Sequence, residues 1–142
     1  MKVSDIMTAR VVSVQKDASV YEAARKMRDE KVGSVLVLDG EVLAGILSDR
    51  QITHTVVAAG LDPATTRVSE VMHEDFVPLE PDMDLLVAMR LQRELAMRRL
   101  PVVKDGKPVG MVSVSDIAVF VKEGIDCILC EGEVRVRRRG EV

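Results

Sequence analysis

The sequence predicts an α+β fold with α/β character, in which one β-α-β-β-α unit is written twice and the two copies pack sheet to sheet. Three observations carry that prediction. The first is an internal repeat at an offset of 65 residues: "VSDIM" at 3–7 returns as "VSEVM" at 68–72, and "GILSDRQI" at 45–52 returns as "GMVSVSDI" at 110–117. The second is a pair of Asp-Gly turns, Asp39-Gly40 and Asp105-Gly106, each between short aliphatic runs, which is a strong local signal for a β-hairpin. The third is size. A repeat of about 60 residues buries too little surface to stand alone, so the two halves are expected to share one compact body.

The elements follow in order. Each repeat opens with a short apolar extended piece (Val11, Val12 and Val14; Phe76, Val77 and Leu79) that leads to an acid, Asp17 or Asp82. That acid is expected to cap the next helix by accepting its free backbone N–H groups. Val20, Ala23, Ala24 and Met27 recur at helical spacing in the first helix, and Leu85, Ala88, Met89 and Gln92 in the second, so these are core stripes. "GSVLVL" and "RLPVV" then read as strands, and their unbroken apolar character predicts cover on both faces. "VLAGILS" and "PVGMVS" return across the turns, and a last helix starts after Ser48 or Ser113. The expected organisation is therefore residues 1–60 as the first unit, 61–67 ("LDPATTR") as linker, 68–124 as the second unit and 125–142 as a C-terminal extension.

Composition narrows the function classes. Hydrophobic residues make up 47% and aromatics only 2%, so the core is aliphatic, and a formal net charge of −3 gives no general attraction to nucleic acid or anionic membranes. No apolar run reaches the roughly 18 residues of a membrane span, and the N-terminus lacks the pattern of a signal peptide, so a cytoplasmic location is expected. No phosphate-binding Walker loop or GxGxxG fingerprint occurs, and His54 and His73 have no adjacent cysteine or acid pair suited to nucleophilic or acid-base work. The chain is expected not to be an enzyme and to carry no resident cofactor.

The repeated Gly-apolar-apolar-Ser-x-x-(Asp or Gln)-Ile stretch holds the chemistry. Glycine permits close approach of the strand backbone, the serine caps the following helix, and that helix start favours an anion. Asp116, three residues after Ser113, is acceptor-only when ionised and suits the paired hydroxyls of a ribose. A single copy would read as a helix cap alone.

With "VSDIM" and "VSEVM", "RRLPVV" and its Asp-Gly turn, and above all "GILSDRQI" and "GMVSVSDI", residues 1 to about 122 resemble a tandem pair of cystathionine β-synthase (CBS) domains, a Bateman module. The resemblance implies a pseudo-two-fold unit with two clefts for adenosine-containing ligands: AMP, ADP, ATP or S-adenosylmethionine. It places the ribose-binding acid at Asp116 and hydroxyl and phosphate contacts at Ser113 and Ser115. Base contacts fall near Thr8 and Val12, with Val32, Gly33 and Ser34 beside them, and phosphate contacts at Arg98 and Arg99. The mirror cleft would use Ser48, Asp49, Arg50, His73 and Val77, with Gln51 where the ribose acid is expected. The resemblance further implies a regulatory, non-catalytic role, a homodimer and a separate regulated protein.

Two other functions compete. Cys127 and Cys130 form a lone C-x-x-C, half of a tetrahedral zinc set or a redox dithiol; buried apolar thiols on a strand are the plainer expectation. Arg135, Arg137, Arg138 and Arg139 form a basic run near the C-terminus that would contact phosphates of a nucleic acid, against the plainer reading of a solvated or strand-forming end. For the homodimer, Ile52, Val56, Val57, Ile117, Val119, Phe120 and Val121 are expected as surplus apolar surface.

Overall fold

The computed structural model describes the backbone of residues 1–140 and the side chains of residues 1–130. A 3-10 turn (Val3–Asp5) precedes β1 (Ser13–Gln15), α1 (Val20–Glu30), β2 (Ser34–Asp39), β3 (Val42–Ser48) and α2 (Asp49–Ile52), which runs on as a π turn through Val57. After the linker come α3 (Val68–Val71), α4 (Leu85–Leu95), β4 (Arg99–Lys104), β5 (Lys107–Ser113) and α5 (Val114–Gly140).

β1 pairs parallel to β2, and β2 pairs antiparallel to β3. The second half keeps only the β4–β5 hairpin as a sheet. Its expected first strand shrinks to one parallel bridge, Leu79 to Val102; Pro81 stands where Lys16 N donates to Leu38 O in the first half, so the ladder has no donor at that point. Three consecutive buried residues in β2 (Val35, Leu36, Val37) and in β4 (Leu100, Pro101, Val102) show strands covered on both faces. Asp105 (φ 53°) and Gly106 (φ 78°) are the two central residues of the second hairpin turn, both left-handed as a type I′ turn requires. In the first hairpin the ladder ends on Asp39 opposite Val42, so Gly40 and Glu41 form the turn, one position later than the Asp-Gly pair suggests.

The helix caps differ from expectation. Ser19 and Asp84 cap α1 and α4, their oxygens accepting from Glu22 N (3.1 Å) and Leu86 N (2.9 Å), whereas Asp17 and Asp82 lie two residues earlier in turns. The chain needs those two residues to turn from strand to helix. The linker is also part of the cap: Thr66 O and Pro63 O accept from Val20 N (2.9 Å) and Tyr21 N (3.0 Å), satisfying two free donors of the first turn of α1.

Two cores result, and they exchange segments. Val3 joins Leu79, Leu85, Ala88, Leu100, Val102, Val112 and Ile117, all from the second half, while Val68 joins Ala23, Met27, Val35, Val37 and Leu47 of the first. Backbone pairs hold each exchanged segment: Thr8 with Met111 (2.9 Å each way), and His73 with Ile46 (2.8 and 3.0 Å). Gly110 and Gly45 make room for these crossings. A Cβ on Gly110 would lie 2.7 Å from Met7 Sδ and 2.9 Å from Thr8 O; on Gly45 it would lie 2.6 Å from Met72 Sδ and 3.0 Å from His73 O.

Several expected surface residues belong to the interior. Val56 is fully buried and Ile117 nearly so, and Ile52 and Phe120 pack partly against the two cores, whereas Val57, Val119 and Val121 are exposed. Cys127 and Cys130 are exposed on α5, which corrects the expectation of buried thiols on a strand. The same helix runs through residues 135–139, where a solvated or strand-forming end was expected; the arginine side chains there fall outside the described set.

Gly110→Ala is expected to destabilise the fold by about 1–3 kcal/mol, the usual cost of overpacking, read by chemical denaturation. Ala96 ends α4 at φ 52°, a conformation that glycine adopts freely. Ala96→Gly is therefore expected to raise stability by about 1 kcal/mol in the same measurement.

Candidate ligand-binding site

The last residue of β5, Ser113, is N-cap-like for α5, and its reciprocal bonding with Asp116 builds the corner of the site. Ser113 Oγ accepts from Asp116 N (3.0 Å), and Asp116 Oδ2 accepts from Ser113 N (2.8 Å) and Ser113 Oγ (2.7 Å). This is a capping box with aspartate in the third position. All these bonds use one carboxylate oxygen, so Oδ1 keeps its accepting capacity. Asp116 is half-buried at the wall of a cavity of about 240 Å³.

Four segments from both halves line this cavity. Thr8 is placed by its bridge to Met111; Val12 O accepts from Leu36 N (2.9 Å), which lays the start of the first unit along β2. Val32, Gly33 and Ser34 follow the left-handed residue Lys31 (φ 55°) that closes α1. Arg99 begins β4 and reaches back across the pseudo-symmetry axis to Ser34 Oγ (3.5 Å). Of the residues named from sequence for this cleft, Arg98 and Ser115 do not line it. Arg98 lies in the neighbouring cavity, and its carbonyl receives Val114 N (2.9 Å); Ser115 is exposed on α5, a turn of about 100° away from Asp116.

The second cavity, about 700 Å³, is lined by Ser48, Asp49, Arg50, Gln51 and His73, with Arg98 and Arg99. Val77 is exposed and stands outside it, since its segment makes no strand. Ser48 Oγ accepts from Gln51 N (3.1 Å), repeating the Ser113 cap, but the Gln51 side-chain NH2 donates to Val71 O (2.6 Å) at the end of α3. Asp49 Oδ1 accepts from Arg50 N (2.7 Å).

Sequence reasoning missed Arg10, Lys31, Leu36, Ile46, Met97 and Met111 as lining residues. For three of these the signal was the strand period of two: Leu36 shares a face with Ser34, Ile46 with Ser48 and Met111 with Ser113. Cys127 and Cys130 are joined by no third metal-ligating side chain among the described residues.

A family model described as the CBS domain matches residues 3–58 and 68–123. The chain belongs to the CBS-domain family. Its two CBS domains are 39% identical over 117 residues to the CBS domain-containing protein YhcV of Bacillus subtilis, covering 82% of this chain and 83% of that one. The crystal structure of Hypoxic Response Protein I with two coordinated zinc ions superposes with a TM-score of 0.76 at 30% identity, covering 84% of this chain and 98% of the other. A putative signal-transduction protein with CBS domains from Burkholderia ambifaria gives a TM-score of 0.76 at 32% identity over 85% of this chain and 93% of its own. Among the described residues no helix is long and apolar enough to cross a membrane.

Proposed function

We propose that this tandem CBS chain is a non-catalytic regulatory module that binds an adenosine-containing ligand, AMP, ADP, ATP or S-adenosylmethionine, in the Asp116 cavity. One observation carries the reading: Thr8, Val12, Val32 to Ser34, Arg99, Ser113 and Asp116 come from four segments of two different halves and line the same cavity. A ligand held there ties both CBS domains together, which is how its arrival would be passed to a partner protein. Asp116 Oδ1 would accept from the ribose hydroxyls, Arg99 would meet phosphate or carboxylate, and Thr8 and Val12 would flank the base.

A homodimer fits the apolar residues that the two cores leave exposed, Val57, Val119 and Val121, with Ile125, Ile128 and Leu129 farther along α5. The zinc of the Hypoxic Response Protein I structure gives a second reading through Cys127 and Cys130. Two subunits would have to pool their pairs to complete a tetrahedral set.

Asp116→Ala is expected to weaken AMP binding about ten- to a hundredfold in calorimetric titration, as the loss of one or two charge-assisted hydrogen bonds. Because the same change removes the third-position acid of a capping box, Glu70→Ala serves as the comparison: it removes the acid that accepts from Arg67 N (2.7 Å) at the start of α3, outside both cavities, and should leave AMP affinity within about twofold. Equal weakening in both variants, or none in Asp116→Ala, overturns the site assignment. Sedimentation at micromolar concentration should give a dimer, and a strict monomer contradicts it.

A further inference from the structure

A third cavity, about 370 Å³, lies between α4 and the first turn of α5. Its volume falls within the roughly 300–1,000 Å³ of ordinary small-molecule sites. Met89, Met97, Val114 and Ile117 make it largely apolar, and the exposed Arg93 and Arg98 give it positive charge. It shares no lining residue with the Asp116 cavity.

One residue of its wall breaks the core pattern. α1 and α4 present the same stripe to their cores, and where α1 carries Met27, 5% exposed, α4 carries Gln92, also 5% exposed. Gln92 Nε2 donates to Val112 O (3.1 Å), which sets the orientation of the amide. No protein group donates to its Oε1, the one buried side-chain oxygen or nitrogen without a hydrogen-bond partner among the described residues. A buried acceptor left unpaired costs stability that a methionine in the same place does not, so packing alone gives no reason for an amide here.

The surroundings of Gln92 diverge between the halves as well. Lys31 and Val32 follow α1, whereas Ala96 and Met97 follow α4: a short side chain that leaves space at the cavity and a flexible thioether that changes pose at low cost. Arg28 of α1 pairs with Asp29 (3.0 Å), but its counterpart Arg93 lies within ion-pair distance of no carboxylate among the described residues, and neither does Arg98. An apolar hollow, an acceptor in want of a donor and two unpaired guanidinium groups together complement one kind of molecule.

We infer that this cavity binds a small amphipathic carboxylate whose apolar body carries one N–H or O–H donor. The donor meets Gln92 Oε1, the body packs on Met89, Met97 and Ile117, and the carboxylate meets Arg93 and Arg98. The site stands apart from the Asp116 cavity and does not rest on the adenosine reading.

Calorimetric titration of the full chain with three probes tests this: indole-3-acetate, which has all the features; benzothiophene-3-acetate, in which sulfur replaces the N–H; and 3-methylindole, which lacks the carboxylate. Indole-3-acetate is expected to bind at one equivalent per chain and about tenfold tighter than benzothiophene-3-acetate, the worth of one hydrogen bond to a buried acceptor. It should bind about threefold or more tighter than 3-methylindole, by a margin that shrinks as ionic strength rises. Gln92→Met, which repeats Met27 of the first half, should bring the two acids within about twofold of each other. Arg93→Ala should narrow the gap to 3-methylindole, and saturating AMP should leave the indole-3-acetate equivalent in place. Melting curves establish that both variants are folded, and the ranking of the three probes on the parent decides the matter without them. Equal affinity for indole-3-acetate and either other probe, a preference between the acids that survives in Gln92→Met, or displacement by AMP overturns the inference. So does the lack of saturable binding, the result expected where water or a second copy of the chain covers this face.

Discussion

The molecule depends on a steric constraint at two glycines. Met7 and Met72 press into the space over Gly110 and Gly45, and the backbones of Thr8 and His73 add themselves to the edges of β5 and β3. Any side chain at either glycine would push out a methionine that fills the gap and a strand pairing that satisfies buried backbone groups. The exchange of Val3 and Val68 between the two cores follows from these contacts. Neither half completes its core from its own repeat, so the halves are held together as one cooperative body instead of two beads on a linker.

That crossing also makes the cavities. Thr8 reaches the Asp116 side only because its segment is pinned to β5, and His73 reaches the Gln51 side because its segment is pinned to β3. Arg99 completes the arrangement at the start of β4. The repeat is close to symmetric in backbone, yet its chemistry is polarised. One end offers a carboxylate with a free acceptor, and the other offers guanidinium groups and a neutral amide whose NH2 donates to Val71 O.

Much of this is legible in the chain. The 65-residue repeat, the hairpins and the core stripes of α1 and α4 depend on local periodicity, which a sequence displays directly. Ser113, Asp116, Ser48 and Gln51 stand out because the repeat aligns them. Ser19 and Asp84 as caps were obscured by acids two positions earlier, since both residue types serve and only the length of the turn decides between them. Val77 and Ser115 were misplaced for geometric reasons: the missing ladder donor at Pro81 shortens the strand that would have carried the first, and the helical step at Asp116 carries the second away. Which core each "VSxxM" segment enters is invisible to pattern reading, because both cores ask for a valine there and the long-range strand pairing makes the choice.

The length of α5 has a mechanical consequence. It begins at the Ser113–Asp116 corner and continues through Gly140, about 40 Å of helix at 1.5 Å per residue; its first two turns are anchored in the body through Ile117 and Phe120, and the side chains described from Val121 to Cys130 are exposed. A helix that leaves the body in this way acts as a lever arm. A change of 10° in its tilt at the corner moves the far end by about 7 Å, on the scale of a side chain, while atoms beside Asp116 shift by less than 1 Å. Small adjustments of the capping box are thus magnified into displacements large enough to make or break contacts along the outer turns of the helix.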